Sequence, residues 1–211
     1  MREQISPHGT IEVTGAGEVE VSPDQAVISL SVITQADTAA EASAANARRM
    51  HSVIDAVADL PHRRVTTSGL GVTPITRYDP ERDNSEITGF RATNSVTVVT
   101  EPADAGRIYD AGVKAGANQS SGISYRVADE RPYRAEALRL AVERALADAR
   151  TVAETAALEL LGPQSVQIDP GDGAIVYRAA PLATEAPPSP MLPDDITIAA
   201  SVRMAFRTRS Q

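Results

Sequence analysis

Six alanines recur at every fourth position between residues 137 and 157, and this repeat restricts the fold more than any other feature of the sequence. Residues four apart lie on one side of an α-helix. The repeat predicts a long helix from Asp129 to Leu161, with Asp129 as its cap and with Gly162 and Pro163 at its end. Because alanine is small, such a ridge lets a sheet or a second helix approach closely somewhere along it.

Two more helices are predicted upstream. Thr38 and Glu41 form a capping box at the start of the first, which Pro61 stops. The second opens at Pro102 and runs to about Ala115, where Gly116 is placed for a left-handed cap.

Alternating apolar residues predict strands around these helices. The predicted strands cover residues 10–21, 26–32, 64–74, 87–100, 122–127, 165–168, 174–179 and 196–207. The element order is then β-β-α-β-β-α-β-α-β-β-β. This order indicates an α/β protein of the α+β type, in which about three helices pack on a mixed, largely antiparallel sheet.

Local signals add detail to this plan. The turn Ser22-Pro23-Asp24 predicts that the first two strands form an antiparallel hairpin, and the glycines of Gly15-Ala16-Gly17 predict a bulge. Asn46 lies close to the apolar stripe of the first helix and is interpreted as a hydrogen-bonded residue at the helix–sheet border. Two loops stand out, a charged hairpin tip at Tyr78–Ser85 and a stretch with five prolines at Pro181–Pro193.

Composition excludes several classes of protein. The chain has no cysteine, which removes disulfides, thiolate metal sites and cysteine nucleophiles. A net charge of −8 and only 3% aromatic residues argue against binding to nucleic acid. No window of 18 apolar residues occurs, and the first thirty residues lack a signal-peptide pattern. We therefore expect no transmembrane segment and a cytoplasmic location as written, or a periplasmic or extracellular one if a leader has been removed.

The sequence offers little for catalysis. His8, His51 and His62 have unrelated spacings, and the aspartates at 169, 172, 194 and 195 lack the spacing of a calcium loop. Gly15-Ala16-Gly17 lacks the third glycine of a dinucleotide-binding turn, and Gly122-Ile123-Ser124 lacks the closing glycine of a nucleophile elbow. We expect no catalytic residue, no cofactor, no metal and no enzymatic activity.

Seven groups of short motifs, in order, resemble the SIMPL domain family, whose bacterial and animal members are largely uncharacterised. The motifs are Val13–Gly17; Ser22–Ala26; Ala39–Ala42 with Asn46 and Met50; Thr66–Leu70 with Pro74; Ile87–Phe90 with Asn94–Val96; Ala115–Asn118 with Gly122 and Ile123; and Ala135–Leu138 with Ala141 and Ala145. The resemblance implies helices on a mixed or antiparallel sheet, here as a single domain over residues 10–209 after a flexible N-terminus at 1–9. It also implies export, since bacterial relatives are usually exported. Some relatives are linked to oxidative-stress defence, and one periplasmic relative assembles into a large channel-like ring.

Three functions remain open from the sequence. The leading hypothesis is a non-enzymatic protein that forms a homo-oligomer, as a ring-like assembly or an interaction scaffold with a protein partner, in envelope or oxidative-stress protection. Its candidate interface residues are Phe90, Arg91 and Tyr177. The alternative is a small-ligand or peptide-binding module with the loops Tyr78–Ser85 and Pro181–Pro193 as the lips of a groove. A weaker alternative is a hydrolase whose acidic residues converge only in the fold.

Overall fold

The computed structural model describes residues 8–80, 83–169, 176–177 and 193–210. Contacts within the chain group it into two compact units. The split unit comprises Met1–Ser22, Val127–Ala179 and Asp194–Gln211, and the middle unit comprises Pro23–Arg126 with Ala180–Pro193. The prediction of a single family domain over 10–209 stays a prediction.

The described elements follow the order predicted from the sequence, which confirms the α+β class. Paired strands are antiparallel wherever the structure describes them, and they form two sheets. The elements are β1 (His8–Val21), β2 (Gln25–Ala36), α1 (Ala39–Ala58), β3 (Arg64–Asp79), β4 (Asn84–Thr100), α2 (Ala105–Lys114), β5 (Gln119–Arg126), α3 (Arg131–Thr155), β6 (Leu158–Ile168), β7 (Val176–Tyr177) and β8 (Ile196–Ser210). A short 3-10 turn, Pro102–Asp104, leads into α2.

The middle unit is a four-stranded sheet in the order β3-β4-β2-β5, with α1 and α2 packed against it. Alternate residues of β2 are buried, as the period-two pattern predicts for a strand with one covered face. The core joins apolar residues of β2, β4, α1 and α2, among them Ile28, Leu30, Val96, Val98, Met50, Val53, Val57 and Ile108. Each fully buried side chain of this size stabilises the fold by about 1.5–3 kcal/mol.

Two polar residues fix the start of α1 and its position on the sheet. The Thr38 hydroxyl accepts from the Glu41 amide at 3.2 Å, so the predicted N-cap is present. The Glu41 carboxylate accepts from the Thr38 hydroxyl at 2.8 Å and not from the Thr38 amide, as a full capping box requires. Asn46 is buried and its Nδ2 donates to the carbonyl oxygens of Val32 on β2 at 2.7 Å and Ala92 on β4 at 3.1 Å. The interpretation of Asn46 as a hydrogen-bonded residue at the helix–sheet border is thus confirmed.

The split unit places β8 between β1 and β6, and α3 crosses one face of this sheet. Five alanines of the predicted ridge, from Ala137 to Ala153, are buried on the sheet side of α3. A Cβ atom at Gly17 would stand 2.6 Å from the Ala141 amide nitrogen, which no real side chain tolerates. The predicted bulge at Gly15–Gly17 is wrong, because β1 keeps an unbroken register with β8 there; the glycines instead admit the helix.

Two other predictions are corrected. The first two strands do not form a hairpin, because β1 pairs with β8 while β2 pairs with β4 and β5. The long helix ends at Thr155, since Ala157 adopts a left-handed φ of 54° and Leu158 begins β6. Gly162 and Pro163 therefore lie inside a strand, next to its register shifts.

Some predictions fall partly or wholly outside the described residues. Of the predicted strand at 174–179 the structure describes β7, which pairs with Ile196 and Thr197 of β8. Of the proline-rich stretch Pro181–Pro193 it describes Pro193 alone, and of the N-terminus at 1–9 it describes His8 and Gly9. The predictions for these stretches stay predictions.

Candidate functional site

The strands β3 and β4 extend beyond the rest of their sheet as a two-stranded arm. The first residue of β4 that pairs with β2 is Phe90, opposite Ala36. Residues 84–89 of β4 continue past that point, and the partners described for them lie at 75–79 of β3. We call residues 75–79 and 84–89 the arm. An isolated pair of strands is at best marginally stable in water, so such an arm favours a covering partner.

Large apolar side chains are exposed on the arm and on the adjacent stretch of β3. Tyr78 is 58% exposed and Ile87 is 59% exposed. Leu70 is 71% exposed at a position where the pairing register of β3 shifts between Ser68 and Gly71. In the pairing that the structure describes, β3 is an edge strand, whose outer backbone groups can add another strand.

The tip of the arm is held by a side-chain hydrogen bond. The Tyr78 hydroxyl donates to Oδ1 of Asp83 at 2.5 Å, across the turn between the two strands. This bond to a carboxylate favours the neutral phenol and so raises the pKa of Tyr78 above its ordinary value of 10.0. Asp83 itself has a left-handed φ of 49°, a conformation that aspartate adopts more readily than most residues.

Two of the residues predicted for an interface lie at the base of the arm. Phe90 is half-buried between Ala36 and Pro74 in the ladder, and the neighbouring Arg91 is exposed. Tyr177 belongs to β7 in the split unit, where it pairs with Ile196. The structure therefore places Phe90 and Arg91 together and Tyr177 in the other unit, and the interface role of all three stays a prediction.

Sequence reasoning missed the exposed residues Leu70, Tyr78 and Ile87. It assigned Tyr78 to a charged loop and began the second strand of the hairpin at Ile87, so the arm was not visible as a paired element. One available signal was length, because the predicted strand 87–100 is longer than the predicted strand 26–32, beside which it lies in the structure. A longer strand beside a shorter one must continue unpaired or with its hairpin partner alone.

The histidines and the serine that could have served in catalysis, His51, His62 and Ser124, occupy ordinary structural positions. His51 Nδ1 lies 2.9 Å from the Ala47 carbonyl oxygen, and His62 Nδ1 lies 2.8 Å from that of Leu60. Ser124 lies within β5 opposite Val27, away from any strand-to-helix turn. Within the described ranges, no group of three or more histidine, aspartate or glutamate side chains is close enough to hold a metal ion.

None of the helices in the described part of the chain is both long and apolar enough to cross a membrane.

Comparison with known proteins shows which family this chain is similar to. The pattern of the SIMPL family, described as "Protein of unknown function (DUF541)", matches residues 11–206. The chain is 38% identical over 156 residues to the "26 kDa periplasmic immunogenic protein" of Brucella melitensis, and equally to that of Brucella abortus. Each match covers 71% of this chain and 62% of the relative, so the chain spans about three-fifths of these curated proteins.

A more distant relative gives the same result. The chain is 26% identical over 189 residues to the "Uncharacterized protein YggE" of Edwardsiella ictaluri, covering 85% of this chain and 78% of the relative. The stretch matched by the family pattern begins in β1 and ends in β8, and so includes both compact units. The chain thus belongs to the SIMPL family.

Proposed function

We propose that this chain is a non-enzymatic protein that associates with copies of itself through the β3–β4 arm. The observation that carries the proposal is the arm, which exposes Tyr78 and Ile87 on strands without a covering layer in the described structure. Burying such side chains between two copies contributes about 25 cal/mol for each Å² of apolar surface removed from water. The non-enzymatic part of the proposal rests on the sequence, which contains no recognisable nucleophile setting or ligand cluster.

The partner is taken to be a second copy for two reasons. The arm carries charges of both signs, with Arg77 paired opposite Glu86, so the acidic residues of one copy can lie against Arg77 of another. The edge strand β3 also offers its backbone to an identical strand, although Pro74 removes one donor from that edge. The resemblance to a family with a ring-forming member agrees with this choice.

We extend the proposal to the cell envelope. Two relatives carry the name "periplasmic immunogenic protein", and a similar compartment for this chain requires a leader that is removed on export. A protective role against oxidative stress, which the family resemblance implies, stays a prediction.

Light scattering tests the assembly over a wide concentration range, about hundredfold, because mass action separates a weak oligomer from a monomer. The wild-type chain is expected to give a mass well above 22.2 kDa. Ile87→Lys is expected to lower that mass while leaving the circular dichroism spectrum unchanged. A chain that stays monomeric at every concentration would rule out self-association.

A matched variant separates the arm from a general effect of charge. Val113 lies on α2 of the same unit and is 45% exposed, so Val113→Lys places the same charge on an apolar position outside the arm. This control is expected to keep the wild-type mass. If Ile87→Lys also keeps it, self-association uses another surface and the role of the arm is refuted.

A further inference from the structure

The sheet of the split unit carries a small cavity on the face opposite α3. The cavity has a volume of about 340 Å³ and includes Thr14, Gln167, Asp169, Ser201 and Arg203 in its lining. This volume is at the lower end of the range for ligand sites, so the cavity suits a small molecule. Its lining residues belong to the split unit and the arm to the middle unit, so the inference drawn from the cavity does not rest on the proposed function.

The register of the sheet places these side chains in one row. Arg203 of β8 is paired with Thr14 on β1 and with Gln167 on β6. Their neighbours Gly15 and Val202 are buried beneath α3, so the alternation of a strand turns Thr14, Gln167 and Arg203 to the other face.

Two more groups complete the lining. Ser201 lies two residues before Arg203 on β8 and therefore shares its face. Asp169 directly follows β6, and its amide donates to the Ser201 carbonyl oxygen at 3.1 Å, which ties the end of β6 to β8 beside the cavity. Side chains held by paired strands are better positioned than side chains on a free loop.

The cavity holds one positive and one negative charge that do not neutralise each other. Within the described part of the chain, neither Arg203 nor Asp169 forms an ion pair or a side-chain hydrogen bond, and their charged atoms stay more than 4.0 Å apart. Elsewhere in the same unit, arginines do pair with nearby acids, as Arg209 does with Glu159 and Arg144 with Asp148. With respect to the residues that the structure describes, both charges in the cavity are thus available to a ligand.

We propose that this cavity binds a free α-amino acid as a zwitterion. The planar guanidinium of Arg203 suits a carboxylate, which it can bind through two parallel hydrogen bonds. The Asp169 carboxylate suits the ammonium group, and it would repel a ligand that carried a negative charge alone. The hydroxyls of Thr14 and Ser201 and the amide of Gln167 can donate to or accept from either group.

Nuclear magnetic resonance titration tests the assignment with the common L-amino acids at millimolar concentration. At least one of them is expected to shift the backbone amide signals of Thr14, Gln167, Ser201 and Arg203. For L-alanine the matched analogues are propionate, which keeps the carboxylate, and ethylamine, which keeps the ammonium group. Each analogue is expected to bind about tenfold or more weakly, because one charge-assisted contact is missing.

Variants identify the two charged contacts. Arg203→Gln and Asp169→Asn are each expected to weaken binding of the amino acid about tenfold or more. Arg207→Gln is the matched control, since Arg207 is an exposed arginine of the same strand that does not line the cavity. It is expected to bind like the wild type, and unchanged folding of all three is checked by their amide spectra.

Three results would overturn the inference. The first is that no amino acid tested shifts the backbone amide signals of Thr14, Gln167, Ser201 and Arg203. The second is binding of propionate as tight as that of L-alanine, with no effect of Asp169→Asn, which would show an anion site only. The third is an equal loss of binding in Arg207→Gln and Arg203→Gln, which would show attraction by the general charge of the sheet.

Discussion

The backbone of Gly15 lies so close to that of Ala145 that a Cβ atom at Gly15 would stand 2.7 Å from the Ala145 amide nitrogen. Such a Cβ atom would also overlap the carbonyl oxygen of Ala141. Because both obstacles are backbone atoms of α3, they cannot turn away as a long side chain could. The close contact between β1 and α3 therefore requires glycine on the strand and small alanines on the facing side of the helix.

The first prediction concerns this packing. Gly15→Ala is expected to lower the stability of the protein by about 3 kcal/mol, because α3 must move away from the sheet to admit one methyl group. Chemical unfolding followed by circular dichroism measures the change through the midpoint and slope of the transition.

Gly71→Ala is the control for the loss of glycine itself. A Cβ atom at Gly71 would meet no heavy atom within 4 Å. This variant is expected to stay within about 1 kcal/mol of the wild type, on the stabilising side, because alanine restricts the unfolded chain. Equal stabilities of Gly15→Ala and Gly71→Ala would contradict the proposed close approach.

The second prediction concerns Asn46, which links two strands to α1. Asn46→Ala removes the donor for the carbonyl oxygens of Val32 and Ala92 and is expected to cost about 2 kcal/mol or more. Ser52→Ala, an exposed change on the same helix, is expected to be nearly neutral. Thermal and chemical unfolding of the two variants compare these costs, and similar losses would argue against a structural role for the buried amide.

Asn46→Asp adds a pH dependence to the same site. The new carboxyl would be buried and face two carbonyl oxygens, so its pKa in the folded state is expected to lie above the unfolded value of about 3.9. Stability is then greatest below that unfolded pKa and is lost as the pH rises through the folded pKa. The variant should therefore be less destabilised, relative to the wild type, near pH 4 than at neutral pH, and a loss independent of pH would refute this reasoning.

The third prediction concerns the tip of the arm. The hydrogen bond to Asp83 raises the pKa of Tyr78, so this phenol should ionise above the ordinary value of 10.0. A raised pKa means that the bond stabilises the neutral phenol. The bond therefore contributes fully below the ordinary pKa of 10.0, and this contribution is lost as the pH rises through the pKa of Tyr78. Near-ultraviolet absorbance during a pH titration, with Tyr78→Phe subtracted, isolates the transition.

Asp83→Asn is the companion variant for this titration. It removes the charge on the acceptor, and the pKa of Tyr78 should move back toward 10.0. The pKa of Tyr125, which is raised by burial, should not change. An unaltered Tyr78 transition in Asp83→Asn would show that the bond is not formed in solution.

The fourth prediction concerns the start of α1. Thr38→Ala removes the side-chain oxygen that accepts from the Glu41 amide and should lower the stability by about 1 kcal/mol. Thr38→Ser keeps the oxygen and should retain most of that stability. Unfolding curves of the two variants measured side by side test the cap, and indistinguishable midpoints would contradict it.

Local signals were sufficient for the elements but not for their partners. The capping box at Thr38 and the glycine at 116, with a φ of 122°, marked the helix ends correctly because each acts within one turn of its helix. Gly15 and Gly17 were misread, because a glycine in a strand can mark either a bulge or a close approach. Which of these applies depends on Ala141 and Ala145, more than a hundred residues away in the chain.

The candidate sites show the same division. Phe90 and Arg91 were expected at an interface from their place beside a charged loop, and they lie at the base of the arm. The row of Thr14, Arg203 and Gln167 could not be foreseen, because it depends on β8 pairing with both β1 and β6. Pairing between distant strands leaves no periodic trace in either strand.

The sequence by itself determined the α+β class, the order of the elements, the N-cap of α1, the glycine that ends α2 and the place of Asn46 at the helix–sheet border, since each depends on residues near one another in the chain or on a simple period. Only the tertiary structure decided that the strands form two sheets, that β1 pairs with β8 and that β3 and β4 extend as an arm. The physical reason is that a strand satisfies only half of its hydrogen-bonding groups with each neighbour and must find that neighbour elsewhere in the chain, whereas a helix satisfies its own.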